Sequence, residues 1–293
     1  MRKLSLEKRA LLVGLLVKGN SIRASSRLSG VAYNSVLTFV GDIGRACTDF
    51  QDETIRNVTA QRVQADEIWA FCYAKDKNVP DAMKGQDGVG SVWTWVALDA
   101  DSKLAISWLI GDRSGAAASV FLHDVAGRLA NKVQLTTDGH RAYLSAVESA
   151  FGSEIDYAML EKVYGPSPEG ERRYSPAECI GCKRHIIMGS PDPEKINTSF
   201  VERQNLNMRM SMRRFTRLSN GFSKKVENHA HSVALHFMWY NFGRIHKTLR
   251  VTPAMEAGLA ESVWTHEDVA ALVDNLPKFQ PKPRGPYNKK EQG

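Results

Sequence analysis

The sequence predicts an α/β fold that is built on a mixed β-sheet and extended by helices at both ends of the chain. Between residues 63 and 163, apolar runs rich in Val, Ile, Trp and Leu alternate with amphipathic helical segments. Residues 1–50 show helical spacing only, and residues 199–276 favour helices again. With 293 residues, 43% of them hydrophobic, the chain is long enough for one sizeable core, alone or with a small satellite domain.

The N-terminal 50 residues predict three short helices with tight turns. Ser5 is the expected N-cap of the first helix, and Ser21 is the expected N-cap of the second. The third helix is expected at Asn34–Cys47. This arrangement is typical of a helix-turn-helix domain, whose last helix enters a major groove of DNA, so Asn34 at its start is a candidate DNA contact. The alternative is a small helical bundle used for packing or dimerisation.

A polar linker at 51–62 is expected to lead into an α/β core at 63–250. The expected elements are strands at 63–72, 91–99 and 104–112, a helix at 116–130, a strand at 132–137, a helix at 142–151 and a strand at 155–163. The Pro/Gly-rich stretch 165–193 predicts an insertion loop over the site, and long helices follow it. Residues 251–276 predict short C-terminal helices, and the Pro/Lys-rich tail 277–293 is expected to be disordered.

Positive charge is concentrated in three segments of the chain. The formal net charge is +7, and residues 203–250 hold ten Lys or Arg against one acidic residue. Residues 1–60 and the tail are also basic, which is the footprint of phosphate binding. A solvated basic surface is the alternative. The candidate DNA contacts in these segments are Arg209, Arg213, Arg214, Lys224 and, in a tail that loosely resembles an AT-hook, Arg284.

Three carboxylates occupy unusual places in the predicted elements. Asp66 interrupts the first strand of the core, Asp138 ends the strand at 132–137, and Glu202 lies on the helix that starts near Ser199. Carboxylates from separate elements can converge on Mg²⁺, which takes oxygen ligands, and two such ions can hold both oxygens of a phosphodiester displacement. Because the chain has 32 acidic residues, residue types and spacing alone leave other trios open.

The residues around these carboxylates carry a family resemblance. The segments are DEIW at 66–69, TTDGHRAY at 136–143, TSFVERQN at 198–205, WYNFGRIHKTL at 239–249 and TPA at 252–254. Together, in this order, they resemble the DDE transposases of bacterial insertion sequences, in particular the family named after insertion sequence one. The resemblance runs from Val63 to Leu259 and more weakly through the N-terminal helices. One departure is Ile245, where related cores usually have Pro.

The resemblance implies an RNase H-like core with Asp66, Asp138 and Glu202 as catalytic residues and metal ligands. It implies two Mg²⁺ ions, with Mn²⁺ as a substitute, that support DNA strand cleavage and strand transfer. The implied partners are double-stranded DNA, as terminal inverted repeats and target, and further copies of the chain in at least a dimer. A basic residue like Arg209, seven positions after Glu202, is common in the family. The alternatives are a nuclease without joining activity and a domesticated, non-catalytic DNA-binding regulator.

Glu67 and the pair Cys179 and Cys182 are further candidate metal ligands. Glu67 rivals Asp66, but neighbours on a strand face opposite sides, so we expect Glu67 to pair with a basic side chain instead. Cys179 and Cys182, with His185 beyond, have metal-ligand spacing. A structural zinc site needs four ligands and no second pair is evident, so reduced cysteines in a loop are favoured.

No membrane span or signal peptide is predicted, and we expect a cytoplasmic, nucleoid-associated protein.

Overall fold

The computed structural model describes residues 4–165, 179–216 and 220–277. The strands in these residues form one mixed sheet, which confirms the predicted α/β class. They are β1 (Arg62–Cys72), β2 (Gly90–Asp99), β3 (Ala105–Gly111), β4 (Val133–Asp138), β5 (Ile155–Tyr164) and β6 (Cys179–Met188). Their order across the sheet is β3-β2-β1-β4-β5-β6, so the central pair joins strands that are distant in sequence.

The sheet register places two of the predicted carboxylates side by side. β1, β4 and β5 run parallel, and Ala65 of β1 pairs with Thr137 of β4, so Asp66 and Asp138 follow at the same level. Asp138 in turn pairs with Leu160 of β5. Since paired residues point to the same side of a sheet, Asp66, Asp138 and Leu160 share one surface, which we call the Asp66 face.

Helices cover both sides of the sheet. They are α1 (Leu6–Val17), α2 (Ile22–Ser29), α3 (Tyr33–Thr54), α4 (Gly115–Arg128), α5 (Ala142–Phe151), α6 (Ser199–Ser211), α7 (Val226–Met238), α8 (Pro253–Glu256) and α9 (His266–Ala271). On the Asp66 face, α6 and α7 bury Val201 and Phe237 against Ile68 of β1. On the opposite face, α4 and α5 bury Phe121 and Tyr143 in the cluster that contains Trp95.

The N-terminal helices begin where the sequence predicts. The Ser5 hydroxyl accepts a hydrogen bond from the Lys8 N–H at 3.3 Å, and the Ser21 hydroxyl accepts one from the Ala24 N–H at 3.1 Å. The third helix, however, continues to Thr54, so the first residues of the predicted linker 51–62 are helical. A tertiary contact accounts for the difference, because the buried Gln51 amide donates to the backbone carbonyl of Ala234 on α7 at 3.2 Å.

These helices pack directly onto the rest of the molecule. α3 lies against α7, and α1 lies against α9. Just after α9, the Asp274 carboxylate is 2.9 Å from the Arg9 guanidinium of α1. Buried residues of α1 and α3 such as Leu12 and Ile43 belong to the same hydrophobic cluster as Leu135 of β4. The N-terminal helices and one side of the sheet therefore share one continuous core.

The predicted insertion loop 165–193 contains a strand, so this interpretation was wrong for Cys179–Met188. These residues form β6, which pairs antiparallel with β5 at the edge of the sheet. Nearly all of β6 is exposed on both sides, and its apolar residues Ile180, Ile186 and Ile187 are among the exposed ones. A strand that buries neither face shows no alternation of apolar and polar residues, so its sequence gives no strand signal.

The C-terminal region is helical, as expected. α7 continues into a π-helical turn at Trp239–Gly243. The predicted cap Thr265 forms a capping box with Asp268 at the start of α9. In the described part of the chain, we find no helix with both the length and the apolar character that crossing a membrane requires.

Candidate metal centre

The structure brings the three predicted carboxylates to one cavity on the Asp66 face. Asp66 reaches it from β1, Asp138 from the end of β4, and Glu202 from the first turn of α6. The cavity has a volume of about 700 Å³. Its lining consists of Asp66, Arg113, Asp138, Gly139, His140, Arg141, Leu160, Glu161, Lys162, Tyr164 and Glu202.

One buried side chain fixes α6 to β1. Gln64 lies two residues before Asp66, and its Oε1 accepts hydrogen bonds from the backbone N–H groups of Phe200 at 2.9 Å and Val201 at 3.1 Å. These N–H groups are in the first turn of α6, where a helix has no partners of its own for them. Gln64 therefore sets the position of Glu202 relative to Asp66, a role that the sequence analysis missed.

The pKa of Asp66 is raised by its surroundings. Burial, followed by the charge of Asp138 and then that of Glu202, raises its pKa to about 6. Two hydrogen bonds act in the opposite direction, because the Glu67 N–H and the Asn205 amide each donate to the Asp66 carboxylate at 2.9 Å. Three carboxylates that repel one another across a cavity are stabilised by a bound cation.

Glu67 lies closer to this centre than the alternation of strand residues suggests. One of its carboxylate oxygens comes within 4.8 Å of oxygens of both Asp66 and Asp138. Its side chain is nevertheless only 1% exposed. The expected basic partner is confirmed, because the Arg113 guanidinium lies 3.5 Å from Glu67 and 3.7 Å from Asp138. Burial, followed by the charge of Asp138, raises the pKa of Glu67 to about 8.

The other two carboxylates also have partners within the chain. Asp138 accepts a hydrogen bond from the backbone N–H of His140 at 3.0 Å. The two oxygens of Glu202 contact different groups, since Oε1 accepts from the Thr198 hydroxyl and Oε2 lies 2.5 Å from Nζ of Lys162. Neither Lys162 nor Arg113 was predicted from the sequence, because each comes from a segment that carries none of the motifs.

The residues predicted to contact DNA differ in their surroundings. Arg209, Arg213 and Lys224 are exposed, as is Asn34 at the start of α3. Lys224 Nζ lies 4.5 Å from the centroid of the Phe222 ring. Arg284 and the rest of the predicted tail after Pro277 lie outside the described residues.

Arg214 makes an internal contact. Its side chain is half-buried, and its Nη1 donates a hydrogen bond to the Ser223 hydroxyl at 2.6 Å. That hydroxyl also contacts Nδ1 of the buried His229 at 3.1 Å. Arg214 therefore links two segments of the fold on the Asp66 side, whereas Arg213 next to it is exposed.

Cys179 and Cys182 lie on the exposed strand β6 as free thiols. Cys182 pairs with Lys162 in the β5–β6 register, so it lies next to a residue that lines the cavity, although neither cysteine is part of the lining. Among the residues that the structure describes, the group that could hold a metal ion is Asp66, Glu67 and Asp138, and it includes neither cysteine. This arrangement offers no support for the zinc interpretation.

Comparison with models of known protein families and with curated protein sequences found no match to this chain. The geometry of the site and the motifs around it therefore carry the functional interpretation. The donor set fits a hard divalent cation, since carboxylate oxygens are the ligands that Mg²⁺ and Mn²⁺ prefer. Burial, and then the charges of Asp138 and Glu202, raise the pKa of Asp66, and such a crowded set of carboxylates also suits a cation.

Proposed function

We propose that this protein is a DDE-type DNA transposase with an RNase H-like core, similar to those of bacterial insertion sequences. One observation carries the proposal. Asp66, Asp138 and Glu202, which the motifs single out across 137 positions of sequence, line the same cavity from three separate elements. The mixed sheet, with two of the carboxylates on adjacent central strands, supports the same conclusion.

In this proposal Asp66, Asp138 and Glu202 hold two Mg²⁺ ions. Held by these residues, the ions would supply Lewis acidity toward water and the 3′-hydroxyl and would offset charge on the phosphate. The chain's own residues supply positioning. Asn205 orients the Asp66 carboxylate, and the His140 N–H orients Asp138. Such partners keep ligand oxygens aimed at the centre before substrate arrives.

The basic segments would hold the DNA. Arg209 and Arg213 are exposed near the end of α6, the helix that begins next to Glu202, and they are placed to bind backbone phosphates. The N-terminal helices would recognise the terminal inverted repeats through the exposed start of α3 at Asn34. Pairing of two element ends would need at least a dimer in the bacterial cytoplasm, at the nucleoid.

A strand-transfer assay tests the proposal. Purified protein is given Mg²⁺ and a duplex that ends in the inverted repeat flanking its coding sequence. We expect joined products from the wild type and a loss of at least about 10³-fold in Asp138→Asn, because a metal ligand is removed while the fold is kept. Glu148→Gln, an exposed carboxylate on α5 outside the cavity, is the matched control and should keep full activity.

The same assay separates the alternatives. Cleavage without joined products would indicate a nuclease of the same fold. DNA binding that is equal in wild type and Asp138→Asn, with no metal-dependent cleavage in either, would indicate a non-catalytic regulator.

A further inference from the structure

Lys162 forms an ion pair with Glu202, the third carboxylate of the candidate centre. Its Nζ lies 2.5 Å from Oε2 of Glu202, and the Thr198 hydroxyl occupies Oε1. Both oxygens of Glu202 are therefore engaged within the chain. In the described residues, the oxygens that converge within 4.8 Å belong to Asp66, Glu67 and Asp138, while Glu202 is not among them.

The sheet register explains why this lysine is in the cavity. Leu160 on β5 pairs with Asp138, and Lys162 follows two residues later, so it points to the Asp66 face as well. The β5 backbone fixes the base of the side chain. The ammonium group is carried on a flexible four-carbon stem, and the side chain is 29% exposed, so its tip can change partners.

We propose that Lys162 holds Glu202 in the metal-free protein, gives it up when a divalent cation binds, and then contacts a phosphate oxygen of the DNA. This inference rests on the proposed function. An ammonium group and a divalent cation compete for the same carboxylate oxygen, and two positive charges next to one oxygen repel each other. Once displaced, the ammonium remains at the wall of the cavity that receives the phosphate, and lysine binds phosphate as a point charge.

The two parts of the proposal predict changes of opposite sign in Lys162→Met. Without its competitor, the centre should bind Mn²⁺ roughly threefold to tenfold more tightly, measured by titration calorimetry in the absence of DNA. At saturating metal, however, single-turnover cleavage should slow by about tenfold or more, because a cation that contacts the phosphate is gone. Lys162→Arg keeps a cation and should stay near wild type in both measurements.

Lys132→Met is the matched control, because Lys132 forms a comparable ion pair with Asp156 at 2.8 Å outside the cavity lining. Lys132→Met should change neither the Mn²⁺ affinity nor the cleavage rate. Unchanged or weaker Mn²⁺ binding in Lys162→Met would overturn the competition, and tighter binding with an unchanged cleavage rate would overturn the phosphate contact. Asp138→Asn must lose Mn²⁺ affinity in the same titration. If wild type binds no Mn²⁺, the proposed function fails together with this inference.

Discussion

At the residue scale, the carboxylates of the candidate centre each have a separate donor. Asn205 donates to Asp66, the His140 N–H donates to Asp138, and Lys162 pairs with Glu202. The Asn205 amide and the His140 N–H restrict the rotation of Asp66 and Asp138, which lowers the entropic cost of binding an ion there. Burial, and then the charges of Asp138 and Glu202, raise the pKa of Asp66, and the Asn205 hydrogen bond partly offsets this rise.

Glu67 is the residue whose burial has the clearest effect on stability. Its pKa rises from 4.5 to about 8 on folding, mainly through burial. As pH rises through this window, the unfolded chain releases its proton before the folded protein does, so the wild type loses stability. We expect Glu67→Gln to match the wild type near pH 4 and to exceed its unfolding free energy by roughly 2–4 kcal/mol at pH 8, at about 1.36 kcal/mol per pKa unit.

Chemical denaturation with EDTA present, repeated from pH 4 to pH 8, measures this difference without interference from metal. Glu161→Gln, which alters a half-exposed carboxylate on β5, serves as the control and should parallel the wild type. Parallel curves for Glu67→Gln and wild type across the whole range would contradict the assignment of a raised pKa to Glu67.

At the element scale, the site depends on how α6 is attached to β1. The Gln64 side-chain oxygen accepts hydrogen bonds from two backbone N–H groups at the start of α6, and its amide nitrogen donates one to the Asn197 side chain at 2.7 Å. Gln64→Ala should lower the unfolding free energy by roughly 1–3 kcal/mol, the cost of leaving buried donors unpaired. Because Glu202 then loses its fixed position, DNA cleavage should fall by about a hundredfold, which is more than the stability loss explains.

Gln134→Ala is the matched control for this prediction. Gln134 on β4 makes a similar pair of hydrogen bonds with the backbone of Asp192, in the segment between β6 and α6, rather than with α6 itself. Urea unfolding should show a comparable loss of stability, but cleavage below the melting temperature should stay within about threefold of wild type. An equal loss of cleavage in both variants would mean that Gln64 has no special role in placing α6.

Elements with a buried face were predictable from sequence, and elements defined by distant contacts were not. The caps Ser5, Ser21 and Thr265 act locally, so the starts of three helices followed from the sequence alone. Strand β6 has no buried face, and α3 is extended by the contact of Gln51 with α7, 183 positions away. The role of Gln64 could not be predicted for the same reason, because its partners on α6 are more than 130 positions away in sequence.

At the scale of the whole molecule, the helices at the two ends of the chain are packed together rather than tethered. α1 contacts α9 and α3 contacts α7, so residues predicted as a separate domain share a core with the C-terminal region. The sequence shows the amphipathic faces of these helices but not which face meets which. A motion that brought α3 to DNA would therefore also act on α7, which covers the Asp66 face.

Two glycines on α3 test whether this packing makes the molecule one cooperative unit. A Cβ at Gly44 would lie 2.2 Å from Cβ and 2.5 Å from Cα of His231 on α7, whereas a Cβ at Gly41 would meet nothing within 4 Å. Gly44→Ala should push the helices apart and cost roughly 1–3 kcal/mol of unfolding free energy. Gly41→Ala should be neutral or stabilising by up to about 1 kcal/mol, because alanine favours a helix interior.

Calorimetric melting distinguishes a shared core from two independent ones. If α3 and the sheet unfold together, Gly44→Ala lowers the temperature of a single transition that accounts for the whole calorimetric enthalpy of unfolding. Two transitions, of which only one moves, would mean that the N-terminal helices unfold on their own. In that case α3 could rearrange on DNA without disturbing Asp66, Asp138 and Glu202, and recognition and catalysis would be separable.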